Sequence, residues 1–231
     1  MTQEAQQKLN QETQTETTLL TQPEGTYWHF LREDRRLAHG DGRLVVVGET
    51  LTHDGPIQLC YCGFHASCRA IDAVKYAPGP IASLVTLGGT VKHGEDKSVG
   101  QERTVVWMYD ASRELREFSC DMAGKLLLAE RAAGREPDAL SFAAIETERR
   151  YARGDATWVE LVDAYAAAYA AAAYVARADA AYTAFAFVAT AAAAASAAFL
   201  DEMNALLTAK LLQARAEGKG DKIGTEETDA A

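Results

Sequence analysis

The sequence has few structure breakers where they would matter most. Its 231 residues include five prolines, and neither proline nor glycine occurs between Asp155 and Glu217. Nothing in that stretch obliges a helix to stop. Basic runs are missing as well. Lys and Arg number 23 against 33 Asp and Glu, a formal net charge of -10, so no cationic surface stands ready to neutralise a phosphate backbone, which argues against general nucleic-acid binding. The densest basic group, Arg32, Arg35 and Arg36, is interrupted by Glu33 and Asp34 and reads as a solvated mixed-charge turn. Gly88-Gly89 lacks the Lys and Ser/Thr of a phosphate loop, and no dinucleotide fingerprint is present. No cofactor is expected. A charged, apolar-cored leader is also missing, so the four cysteines (Cys60, Cys62, Cys68, Cys120) are expected as free thiols in a reducing cytoplasm.

One uncharged stretch, residues 181–200, has a length sufficient to span a bilayer. Alanine contributes little to insertion, and Arg177, Asp179, Asp201 and Glu202 around it suit a soluble helix. Membrane association is therefore not expected.

What is present falls into blocks. Residues 1–22 are mostly Gln, Thr and Glu, and residues 217–231 are mostly Gly, Lys, Asp, Glu and Thr; both are expected to be disordered tails. Residues 26–110 form a β-rich module, with strands expected over 27–31, 44–47, 57–61, 81–87 and 104–109 between Gly, Asp and Pro punctuation. One inserted helix is expected over 67–76, capped by Ser67, with Ile71, Val74 and Tyr76 toward the sheet. Residues 111–154 read as a helical connector: Leu115, Phe118, Met122 and Leu126 share one stripe, and Gly134 with Pro137 ends that helix. A second helix runs over 139–152 with Phe142 and Ile145 inward, a Glu146–Arg150 pair, and Gly154 as its left-handed cap.

Residues 155–216 are the alanine-rich segment, in which 22 of the 35 residues from 164 to 198 are alanine. It opens on Thr157-Trp158-Val159-Glu160, a capping box. Trp158, Tyr165, Tyr169, Tyr182, Phe185 and Phe199 recur at helical spacing, followed by Met203, Leu206 and Lys210. Unbroken, such a helix would reach roughly 85 to 90 Å. It must fold back as a hairpin or pair with another copy or another protein, and these aromatics are the expected interaction residues. The fold class is α+β: a small, mostly antiparallel β module with one inserted helix, then a helical connector, then a long alanine-rich helix or helical hairpin.

Chemistry is sparse. Cys60, Cys62, Cys68 and His65 lie within nine residues and are the candidate zinc ligands, but structural zinc usually draws on two separated knuckles. The reading is no metal, with the cysteines buried as small hydrophobes. Ser67 and Cys68 near His65 lack an evident orienting carboxylate for nucleophilic catalysis.

The runs Gly63-Phe64-His65-Ala66-Ser67 and Tyr76-Ala77-Pro78-Gly79, then Gly89-Thr90-Val91 and Asp96-Lys97, resemble an uncharacterised domain of bacteriophage, prophage and bacterial proteins. That domain has a Gly-Phe-His-Ala-Ser turn, a helix ending in Tyr-Ala-Pro-Gly, and frequently an alanine-rich helical tail. Some members carry an immunity-protein label. The resemblance covers residues 26–160 and implies a non-enzymatic accessory or structural protein, in a host cytoplasm or a virion, that acts by protein–protein interaction and self-association. A fold-level likeness to ADP-ribosyltransferases implies an alternative, an NAD-using enzyme in which His29, His65, Tyr76 and Glu102 line one cleft. The other reading of His65 is a hydrogen-bonded turn histidine, and of Glu102 a surface partner of Arg103 or Lys97.

Overall fold

The computed structural model describes residues 21–40, 42–134, 136–171 and 197–222, and within them the chain is an α+β protein. In order the elements are β1 (Thr26–Leu31), β2 (Thr50–Thr52), β3 (Phe64–Ala66), α1 (Ala70–Val74), β4 (Ile81–His93), β5 (Ser98–Asp110), α2 (Ser112–Ala132), α3 (Ala139–Arg153), α4 (Trp158–Ala171), α5 (Ala197–Ala216) and β6 (Asp221–Lys222). The β4–β5 hairpin is the spine of a six-stranded sheet in which the strand pairings are antiparallel. β1 lies along β4, from Thr26 opposite Thr86 to Leu31 opposite Ile81. The other edge of β5 is shared by β3, β2 and β6. Trp28 and Ser67 then exchange both backbone bonds, at 2.7 and 2.9 Å. β1 beyond β4 thus meets the end of β3 beyond β5, and the curled sheet closes on itself.

Strand alternation sorts the side chains. Trp28, Phe30, Ala82, Leu84 and Trp107 share a core with Ile71 and Val74 of α1, with Leu115, Phe118 and Met122 of α2, and with Met203, Leu207, Leu211 and Leu212 of α5. Leu31, Ile81, Val85, Val105 and Met108 build a second core with Val45, Leu51, Phe64 and Ala66.

The sheet departs from expectation in its short members. Residues 44–47 make isolated bridges to Arg36 and Val105 rather than a strand, and residues 57–61 form a turn in which Gln58 pairs with Cys62. β2 and β3 take their place. β3 falls within the segment read as a turn; the turn proper is Gly63 at φ +101, where an added Cβ would come within 2.6 Å of Val99 and 2.9 Å of Ile57. α1 is shorter than the expected 67–76. Ser67 is committed to the bridge with Trp28, and Arg69 stands at the N-cap without a side-chain capping bond. Tyr76, expected toward the sheet, is 50% exposed.

Leu115, Phe118 and Met122 are buried on one stripe as the spacing predicts, whereas Leu126 is 42% exposed. α3 starts at Asp138, whose side chain accepts from Leu140 N, and ends at Gly154 with φ +83. Its inward positions are Ala144 and Glu148, with Phe142 and Ile145 half-buried. Arg116 donates to Glu148 Oε1 at 2.6 Å and Tyr165 to Glu148 Oε2 at 2.8 Å, a joint between α2, α3 and α4. Arg150 turns to Glu160 and the Asp155 carbonyl instead of Glu146. The capping box forms as spaced: Thr157 N donates to Glu160 Oε2 at 2.7 Å and Glu160 N to Thr157 Oγ1 at 3.2 Å.

The end of the alanine-rich segment is not an open seam. Met203, Leu207 and Leu211 of α5 are fully buried in the chain's own core, and Phe199 and Leu206 pack against it. Asn204 accepts from Ile71 N, and the Leu200 carbonyl from Arg69. Tyr182, Phe185 and the choice between continuous helix and hairpin lie outside the described residues. Residues 217–222, expected within a disordered tail, return to the sheet: the Lys219 carbonyl accepts from Trp107 Nε1 at 2.8 Å, and β6 pairs with β5. A Cβ at Gly220 would strike the Met108 carbonyl oxygen, so this return needs glycine. Gln22 Oε1 likewise accepts from Trp28 Nε1 at 2.7 Å. No helix among the described residues is long and apolar enough to cross a membrane, and most of residues 181–200 lies outside them.

Candidate functional site

A cleft of about 820 Å³ opens beside the β1–β3 closure, walled by β1, the loop before β3, β3 itself and the end of α1. Arg103 belongs to its lining because β5 alternates. Leu51 and Leu87 are opposite Arg103 in the register, and Val105, two residues on, is in the second core. An arginine thus occupies a position where the strand pattern calls for an apolar side chain. It is 3% exposed. Its Nη1 donates to the His65 carbonyl at 3.1 Å and its guanidinium lies 5.1 Å from the Phe64 ring centre, while Nε and Nη2 are buried without a hydrogen-bond partner. Burial pulls its pKa down to about 10, so the group is still charged at neutral pH.

His29 reaches the same cleft from β1. Its Nδ1 is sealed from water and has no partner. Burial, then the charge of Arg103, then His65 hold its pKa well below the ordinary value, which keeps the imidazole neutral at neutral pH. His65 serves its own loop: Nε2 accepts from Cys60 N at 2.9 Å, and a further bond joins it to the Gly63 backbone. Burial and Lys97 lower its pKa, against that Gly63 bond. Tyr76 donates to Asp96 at 2.7 Å, and its ring lies 3.9 Å beneath Lys97 Nζ. Burial raises the Tyr76 pKa, reinforced by Asp96. For Lys97 burial works downward, but contacts with Cys60 and Tyr76 outweigh it and the pKa rises. Lys75 is also in the lining, bonded to Asp72 at 2.7 Å.

His29, His65 and Tyr76 therefore share one cleft, and Glu102 is not in it. Glu102 sits opposite Gly88 and Thr52, on the sheet face away from Ser83, the register partner of His29. It is exposed, and it fills space that a side chain on Gly88 would take. Among the described residues lining the cleft none is a carboxylate, while Lys75, Lys97 and Arg103 are cations. The cysteines also differ from the buried reading, Cys60 and Cys68 being exposed and Cys120 alone buried. Burial pushes the Cys120 thiol up to about 12. Cys60, Cys62, Cys68 and His65 do not converge; among the described residues no group of three metal-ligating side chains is arranged to hold an ion.

Reading the sequence missed Arg103, taken there as a surface neighbour of Glu102, and Lys97. The available signal was positional, since Arg103 lies two residues before Val105 in an alternating strand. No family model, curated protein or solved structure matches this chain.

Proposed function

We propose that the chain is a ligand-binding protein whose cleft takes a small anionic molecule through a carboxylate or phosphate group. One observation carries this: the buried Arg103 guanidinium keeps two donor nitrogens without partners in a cleft lined by no acid among the described residues. A buried cation is costly unless an anion and hydrogen bonds compensate it, and guanidinium matches both groups in a bidentate manner. The segments that carry the resemblance to the phage and prophage domain, residues 63–67 and 76–79, contribute to the walls of this cleft. This supports an accessory role exercised through ligand binding.

The test is titration of the full chain with inorganic phosphate and citrate, followed by calorimetry and melting. Saturating ligand raises the melting temperature, as any ligand selective for the folded state does, and Arg103→Gln removes the rise. Absence of any such stabilisation in the wild type would sink the reading. The ADP-ribosyltransferase alternative has weaker support, because the glutamate it needs at the reacting sugar faces away from His29. Self-association keeps one supporting observation: Trp158, Val159 and Val162 of α4 are 45%, 66% and 43% exposed. A change of sedimentation mass on making Trp158 and Val162 polar is the expected result if α4 forms that contact.

A further inference from the structure

We infer that the ligand of this cleft is a phosphorylated molecule bearing a planar heteroaromatic ring, a mononucleotide in chemical class, with its phosphate on Arg103 and its ring on Tyr61. The inference rests on the anion-binding reading above and adds a second, separate observation.

Tyr61 lines the cleft and is 80% exposed. Exposed aromatic rings are common on mobile loop tips, but this loop is fastened at several points. Gln58 N donates to the Cys62 carbonyl at 2.9 Å, Cys62 N to the Gln58 carbonyl at 3.0 Å and Tyr61 N to the same carbonyl at 3.1 Å. Cys62 Sγ reaches the Pro56 carbonyl at 3.1 Å, and His65 holds Cys60 N. Cys60 adopts φ +70, a left-handed conformation that non-glycine residues take only under constraint. The loop therefore presents the ring of Tyr61 to the cleft mouth instead of burying it, and one function of His65 is to hold that presentation.

The second tyrosine is engaged differently. Lys97 Nζ covers one face of Tyr76, so Tyr61, 80% exposed against 50% for Tyr76, is the more open aromatic surface for a stacked ring, and half-buried Lys97 adds a cation to the lining. The ordering by exposure runs from Tyr61 at 80% to Arg103 at 3%. A ligand that is planar at one end and doubly charged at the other matches this gradient, and a cleft of about 820 Å³ lies within the range that holds molecules of nucleotide size. Stacking on an aromatic ring is tolerant of base identity, so a class of ligand is specified and not a single base.

The test uses the full chain with four probes, AMP, UMP, ribose 5-phosphate and inorganic phosphate, measured by calorimetry. AMP and UMP bind about tenfold or more tightly than ribose 5-phosphate, the increment that one stacked base supplies. Tyr61→Ala erases that increment and leaves ribose 5-phosphate unchanged, while inorganic phosphate competes with AMP on the wild type. Tyr61 is exposed, so this variant retains its fold, and the phosphate competition needs no substitution at Arg103. Equal affinity for AMP, UMP and ribose 5-phosphate, or a Tyr61→Ala variant that keeps the preference, overturns the inference while leaving anion binding intact. Failure of every phosphate-bearing probe to bind overturns the inference, and failure of citrate as well overturns the anion-binding reading with it.

Discussion

Buried Arg103 and half-buried His29, whose Nδ1 is sealed from water, set the electrostatics of a cleft in which no carboxylate lies among the described lining residues. That arrangement has a consequence for stability. His29 is depressed in the folded state relative to its ordinary 6.5, so as pH falls the unfolded chain takes up the proton first. The stability involved is complete above that value and is lost progressively below it. The urea midpoint should therefore fall between about pH 7.5 and about pH 5.5, and His29→Asn should shrink the drop; an unchanged drop in the variant would remove His29 as its source. Glu148 is the opposite kind of buried charge, satisfied by Arg116 and Tyr165. Tyr165→Phe should cost about 1.5 kcal/mol and Glu148→Leu about 3 kcal/mol, read from denaturant midpoints. Single side chains such as these were the hardest part to read in the sequence. A glutamate on a helix and an arginine in a strand look like surface residues until register and packing assign them an interior, and Glu148 and Arg103 are both interior.

Elements were more legible where local rules act alone. α2, α3, the Gly154 cap of α3 and the Thr157 cap of α4 follow from helical spacing and cap residues, and alternation located the cores of β4 and β5, although these strands extend over 81–93 and 98–110, beyond the expected 81–87 and 104–109. The capping box gives a sharp expectation: Thr157→Ala should destabilise the chain by about 1 kcal/mol, seen as lost helical signal from α4 on heating, and a variant melting like the wild type would show the box to be idle. The short strands were not legible. β2 and β3 have three residues each, too few for periodicity to register, and they exist because β5 offers a free edge. Residues 44–47, rich in valine and leucine, lost that competition; Gly48 at φ +86 turns the chain away after a single bridge.

At the scale of the molecule, the main revision concerns α5. Its apolar residues read as a seam for a partner and turn out to be part of the core under the sheet, because periodicity identifies a buried face without naming what buries it. Removing α5 withdraws Met203, Leu207, Leu211 and Leu212, each at most 1% exposed. At about 2 kcal/mol for each buried side chain, the loss is roughly 8 kcal/mol, comparable with the whole stability of a domain. A chain ending at residue 171 should consequently lose its cooperative melt and bind hydrophobic dyes, and a cooperative melt in that fragment would contradict the packing described.

The return of residues 217–222 to the sheet bears on how the protein is made. Synthesis delivers the β module first, yet Ile71 waits for Asn204 and Trp107 for Lys219, partners 133 and 112 residues away along the chain. On the ribosome the helix-facing side of the sheet has only α1 and α2 to cover it until Met203, Leu207, Leu211 and Leu212 of α5 have emerged. Folding of the sheet is therefore incomplete until α5 and residues 219–222 have been made, and during that interval its uncovered apolar face favours aggregation and proteolysis.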